Sequence, residues 1–210
     1  MDVPWFRRRL LAWGREHRRS FPWRETDDPW RVLVAEVLLQ RSRGKTVAKV
    51  YEELFRRWPD AEAMSRARET SIAAVIRPLG LTRRAVALRS MAKEVVRMGG
   101  VPRSFDELVA LPGVGRYAAN ATLVVGFGKQ AAVVDGVSAR VYRRYFGLDS
   151  TLLPSEDEDL WAAVLDATPA RSREWNWAVL DLAAEVCLPA RPRCSACPLA
   201  ARCLFAKSVA

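Results

Sequence analysis

Histidine occurs once in the 210 residues, at His17, and lysine only five times. A single histidine excludes an imidazole-based catalytic triad and a multi-histidine metal site. Within GREHRRS it reads as a solvated residue. No apolar run approaches the roughly 18 residues of a membrane span, and MDVPWFRRRL has no apolar signal segment. The expectation is a cytoplasmic chain with no membrane partner. Long alternating strand patterns are missing, as are internal repeats and low-complexity linkers. No cysteine precedes Cys187.

Arginine is abundant, supplying 29 of the 34 basic residues, and the formal net charge is +10. A GC-rich genome also enriches arginine, but an excess of this size favours a polyanionic partner, DNA or RNA being the usual one. Half the residues are hydrophobic, so the chain folds around a core.

Helical periodicity runs through most of the sequence. A first helix is expected over about 4–18. Asp28-Pro29 gives an acidic N-cap followed by proline at the first helical position, opening a helix to about Arg41. Further helices are expected at about 45–57, 60–67, 69–78, 82–98, 115–127 and 171–186. Ser104-Phe-Asp-Glu107 and Ser155-Glu-Asp-Glu158 match the capping-box pattern and predict helices ending near 111 and 166.

The four cysteines, Cys187, Cys194, Cys197 and Cys203, have the spacing C-x6-C-x2-C-x5-C. Clustered thiols in an intracellular chain suggest metal before disulfides. Four thiolates would satisfy a tetrahedral zinc ion, although zinc sites usually show two C-x2-C pairs. The wider gaps suit an iron–sulfur cubane, a larger object to wrap.

LPGVGRY, Leu111 to Tyr117, is a second unusual stretch. Gly113-x-Gly115 fits a loose dinucleotide fingerprint, but that fingerprint should follow a strand, and SFDELVAL reads as a capped helix. The expected unit is helix, hairpin, helix. Such a hairpin bares backbone N–H groups at the positive end of a helix dipole and can grip phosphate without reading sequence. A plain corner between two helices would use the same letters.

Taken together, the cysteine spacing, the segment from Leu111 to Arg144 and FPWRETDDPWRVLVAEVLLQRS resemble the helix-hairpin-helix (HhH-GPD) DNA glycosylases of the endonuclease III and MutY superfamily. Three motifs occur in the family's order over nearly the whole chain. The resemblance implies an all-α, two-lobed fold, with a six-helix barrel over 24–129 and a cluster lobe formed by 1–23 and 130–210. It implies a [4Fe–4S] cluster on the four cysteines. A monovalent cation at the hairpin is a further expectation. The implied partner is double-stranded DNA with a mismatched or damaged base, bound by a monomer.

Asp135 follows AAVV and can cap the next helix. By resemblance it is also the essential aspartate that stabilises an electron-poor sugar as the base leaves. Glu36 lies on a helix that is apolar nearly all round, where burial disfavours the ionised form. A buried ion pair would explain it, and so would a group that hydrogen-bonds or protonates a flipped base. Tyr117 stands where endonuclease III-type enzymes have the lysine that forms a Schiff base. A phenol cannot do this, so the expectation is a monofunctional enzyme without lyase activity. Leu111, Gly113, Val114, Gly115 and Arg116 form the phosphate-binding hairpin in this reading. Gln40, Arg41 and Leu81 lie where the family inserts side chains into the gap left by the flipped base.

The base is read from departures. The chain has Leu39-Gln-Arg-Ser-Arg43, Pro78-Leu-Gly-Leu-Thr82 and Asp135-Gly-Val137 where adenine glycosylases usually have L-Q-Q-T-Q, G-L-G-Y-Y and D-G-N. Each leans toward thymine/guanine mismatch glycosylases, although Val137 departs from both patterns. The expected reaction is hydrolysis of thymine or uracil from a mispair with guanine. Adenine removal opposite 8-oxoguanine or guanine is the alternative enzyme, and a damaged-DNA-binding module the non-enzymatic one.

Overall fold

Caps and prolines set where the helices begin. Asp28 accepts the Trp30 N–H at 2.9 Å, and Pro29 follows in the first turn, where an N–H has no partner to lose. The computed structural model describes residues 2–80 and 82–208. Among them all regular structure is helical and no strand occurs, so Gly113-x-Gly115 has no strand to follow. In chain order the α-helices are α1 (Val3–Glu16), α2 (Pro29–Leu39), α3 (Gly44–Arg57), α4 (Ala61–Arg66), α5 (Glu69–Ile76), α6 (Arg84–Arg97), α7 (Phe105–Val109), α8 (Arg116–Phe127), α9 (Gly136–Phe146), α10 (Glu158–Ala167), α11 (Arg173–Glu185) and α12 (Leu204–Ser208).

Backbone contacts divide the chain into two units, Ser20–Phe127 and Met1–Arg19 with Gly128–Ala210. In Ser20–Phe127, α2 is the central rod. Every residue from Val32 to Leu38 is buried, as a helix with no polar face requires. It packs on α8 with almost no space between backbones: a Cβ at Gly126 would lie 2.8 Å from the Pro29 Cα. Around this pair Tyr51, Leu54, Met64, Ile72, Ile76, Leu88 and Met91 complete the core.

In the other unit the core is aromatic. Phe6 of α1 stacks on Tyr145 at 4.3 Å and meets Trp175 of α11 edge-on at 5.0 Å. The Asp181 carboxylate, 1% exposed, is held by Arg19 at 2.5 Å. His17 is exposed and stacks on Trp13 at 4.5 Å.

Several ends differ from the sequence expectation. Helix α2 stops at Leu39 rather than near 41, because the backbone leaves the helix at Gln40 (ψ 115), and Arg41 follows in the left-handed region at φ 55. Helix α5 stops at Ile76, ahead of Pro78, and a 3-10 turn Arg77–Leu79 follows. The expected capping box at Ser155 is not formed. Asp157 is the cap of α10, accepting from the Leu160 N–H at 3.0 Å and from Arg143 at 2.5 Å. Ser104 does cap α7, but the Glu107 carboxylate bonds to its hydroxyl rather than to its backbone. The helical tail α12 was not expected.

Candidate functional site

In Ser20–Phe127 the hairpin residues and Gln40, expected to face DNA, lie at one end of the α2–α8 pair. Between α7 and α8 the chain makes a tight turn, with the Val114 N–H donating to the Leu111 carbonyl at 3.1 Å. Gly113 takes φ +81, and a Cβ there would come within 3.2 Å of the Ala87 Cβ, so a side chain is disfavoured twice. Gly115 precedes the first turn of α8, and its carbonyl accepts the Ala119 N–H at 3.0 Å. Both glycines are exposed, while Leu111 and Val114 are buried and anchor the turn. The hairpin therefore shows backbone and the half-buried Arg116 at the positive end of the α8 dipole.

Gln40 joins this hairpin directly: its Nε2 donates to the Gly113 carbonyl at 2.9 Å. The neighbouring Arg41 is exposed. Leu81, expected beside it, lies outside the described residues.

Glu36 and Tyr117 sit on the two packed helices, α2 and α8. Glu36 is 9% exposed among side chains that are essentially inaccessible, Leu33, Val34, Ala35, Val37 and Leu38. Tyr117 is half-buried in the first turn of α8. Of the five lysines, none falls on α8.

In the other unit Asp135 caps α9 as part of a reciprocal box. Its Oδ1 accepts the N–H of Val137 (3.1 Å), the N–H of Ser138 (2.7 Å) and the Ser138 hydroxyl (2.8 Å). The Asp135 N–H in turn lies 2.8 Å from the Ser138 oxygen. Oδ1 is thus committed to the cap, and Oδ2 takes no part in it. Ser138 is 1% exposed, while Val137 is 40% exposed. The D-x-x-S spacing was the sequence signal for this box.

The same helix reaches the cysteine tail. Arg140 donates to the carbonyls of Cys187 (2.8 Å) and Ala183 (2.9 Å). One turn on, Arg144 donates to the Leu188 and Pro189 carbonyls, each at 2.7 Å, and lies 3.4 Å from the Cys187 sulfur. Its guanidinium also covers the Phe205 ring at 4.4 Å. Neither arginine was singled out in the sequence, although their i,i+4 spacing places them on one face.

All four cysteines line a single cavity, floored by Val141, Tyr145, Leu182 and Leu199. All are half-buried free thiols. Burial pushes the Cys197 thiol up to about 11, and the three other sulfurs add to this. Any metal group binding here would displace those protons. Among the described residues, no three His, Cys, Asp or Glu side chains close on one point as a single ion requires.

The architecture and site can be set beside known proteins. Residues 34–163 match the model of the HhH-GPD superfamily base excision DNA repair proteins. A thymine/uracil-DNA glycosylase of Pyrobaculum aerophilum is 38% identical over 98% of this chain and 93% of its own. The human adenine DNA glycosylase is 36% identical over 96% of this chain but only 39% of its own. The solved structure of a thermostable thymine-DNA glycosylase superposes with a TM-score of 0.93 at 33% identity, over 99% of this chain and 97% of that one. With its glycine hairpin set between α7 and α8 and the match running over most of the chain, this protein belongs to the HhH-GPD superfamily of base excision DNA repair proteins.

Proposed function

We propose that this chain is a monofunctional DNA glycosylase that removes thymine or uracil mispaired with guanine, acting as a monomer on duplex DNA. The observation that carries the reading is Tyr117. It stands in the first turn after the hairpin, where an amine nucleophile would be needed for strand cleavage, and a phenol forms no Schiff base. The full-length likeness to a thymine/uracil-DNA glycosylase supports the choice of base.

The step is a hydrolysis. The water oxygen bonds to the sugar C1′ as the C1′–N bond breaks, the bonding electrons leave with the base, and the proton that water gives up ends on the departing base. Asp135, with Oδ1 fixed by three donors, offers Oδ2 to the positive charge that builds on the sugar. Glu36 holds or moves a proton at the extruded base, where the surrounding apolar side chains strengthen any hydrogen bond. The hairpin and Arg116 take the phosphates, and Gln40 and Arg41 meet the gap in the duplex.

Cys187, Cys194, Cys197 and Cys203 would hold a [4Fe–4S] cluster. The donor set fits: four sulfurs share one cavity, and Arg144 lies against one of them. When bound, the cluster supplies four iron–sulfur bonds that cross-link the tail.

The test is base release from labelled duplexes carrying T/G, U/G, A/8-oxoguanine and A/G, each with and without alkali. Release from T/G and U/G, with strand breaks only after alkali, is the expected result. Release from A/8-oxoguanine alone would replace the substrate. Strand scission through a borohydride-trappable adduct would refute the monofunctional assignment.

A further inference from the structure

Arg84, the first residue of α6, is only 9% exposed, and among the described residues neutral oxygens hold its guanidinium. Nη1 donates to the Leu38 carbonyl (3.1 Å) and the Ser42 hydroxyl (3.2 Å), and Nη2 donates to the Gln40 carbonyl. Leu38 and Gln40 stand at the C-terminal end of α2, the negative end of its dipole, which favours a cation there. Burial and the charges of Arg41 and Arg83 oppose it, so the clamp persists only through these bonds.

Arg41 lies between the clamped residues. At φ 55 it is the one non-glycine in the left-handed region among the described residues, and it is exposed. Such a backbone relaxes unless its surroundings hold it. The clamped turn also reaches the hairpin, through the bond from Gln40 to the Gly113 carbonyl at 2.9 Å. Ala87, three residues after Arg84 on α6, is the side chain that closes off the Cβ position of Gly113. One helix thus supports the turn at 40–42 and the hairpin at 111–115.

We infer that Arg84 is a positioning residue that holds residues 40–42 in the conformation projecting Arg41 and, through Gln40, keeps that turn in register with the hairpin. The two DNA-facing elements then meet the duplex as one preorganised body. The inference deepens the proposed function and rests on it for what Arg41 does on DNA. Lysine cannot replace Arg84, since a point charge on a flexible stem does not reproduce a fork to three acceptors.

The test uses Arg84→Lys, Arg84→Met, Arg41→Ala and the double variant Arg84→Met/Arg41→Ala in the full chain. Amide hydrogen exchange is read in the free protein, and base extrusion from a 2-aminopurine reporter beside a T/G mismatch. In both Arg84 variants exchange should rise by about tenfold or more in 40–43 and 111–115 together, with α3 and α4 unchanged. Extrusion should slow by about tenfold in each Arg84 variant, and Arg84→Met should add less than about twofold in the Arg41→Ala background. Exchange that stays unchanged at 111–115, or losses that multiply in the double variant, would overturn the inference. Should Arg84→Met not fold, Arg84→Lys decides the same question. If the wild-type protein releases no base from any duplex, the functional reading fails, while the exchange result still judges Arg84 by itself.

Discussion

Helix α2 and the cysteine tail hold their backbones in place by opposite means. Seven consecutive residues of α2, Val32 to Leu38, are buried, so apolar packing fixes the rod and an arginine is needed only at its end. From Cys187 to Ser208 the single buried residue is Leu199. There the backbone is pinned by Arg140 and Arg144, which reach carbonyls from α9. A segment with so little core needs polar clamps and cross-links to stay folded. In both regions a chemically important turn rests on arginine donating to main-chain oxygen.

The largest expected effect tests function in the unit that carries the tail. Asp135→Asn should lower single-turnover base release by about a hundredfold to a thousandfold, as for loss of a group that stabilises transition-state charge, with mismatch binding retained in gel-shift titration. Next, if the four cysteines hold the proposed [4Fe–4S] cluster, the purified protein should contain iron and absorb visible light, and Cys194→Ser should lose both. Limited proteolysis should then cut within the tail while Ser20–Phe127 stays intact. Equal loss of both regions would show that the tail is not held independently of Ser20–Phe127.

Core truncations sharpen it further. Ile72→Ala in one unit should cost about 2–5 kcal/mol and Trp175→Ala in the other about 3–5 kcal/mol in denaturant unfolding, since both side chains are wholly buried. A smaller effect belongs to Asp157, whose carboxyl is held below the usual range first by Arg143. A carboxyl depressed in the folded state contributes stability above its unfolded value of about 3.9, and that contribution is lost as pH falls through the folded one. Asp157→Asn should therefore lower stability at neutral pH and flatten the loss below about pH 4. Smallest of all, Glu62→Gln breaks an exposed i,i+4 pair with Arg66 and should change stability by less than about 0.5 kcal/mol.

Much of the helical pattern was legible in local chemistry. Asp28-Pro29 marks the start of α2, and the apolar run behind it identifies the buried rod. Ser104 and Pro112 bracket α7, and the glycine pair announces the turn before α8. Legibility faded where a partner distant in sequence decides. Nothing near residue 40 foretells that Arg84, more than forty positions on, donates to the carbonyls of Leu38 and Gln40 at the end of α2. Ser155 and Asp157 are both competent caps in isolation. Asp157 is the one used because Arg143 lies on α9 to receive it.

What the sequence by itself determined is therefore the inventory: an all-helical chain, a glycine hairpin between helices, a capping Asp135, a buried-helix Glu36, a tyrosine in place of lysine, and four thiols in one short tail. These are properties of residue type and near-neighbour spacing, which backbone sterics and periodicity convert directly into local form. Tertiary structure alone decided which oxygens the arginines at 84, 140 and 144 would find, that Gln40 would reach Gly113, and that the four sulfurs would line one cavity. Those outcomes depend on separations of tens of residues closed by packing, and a hydrogen bond forms only where packing has already brought donor and acceptor within about 3 Å.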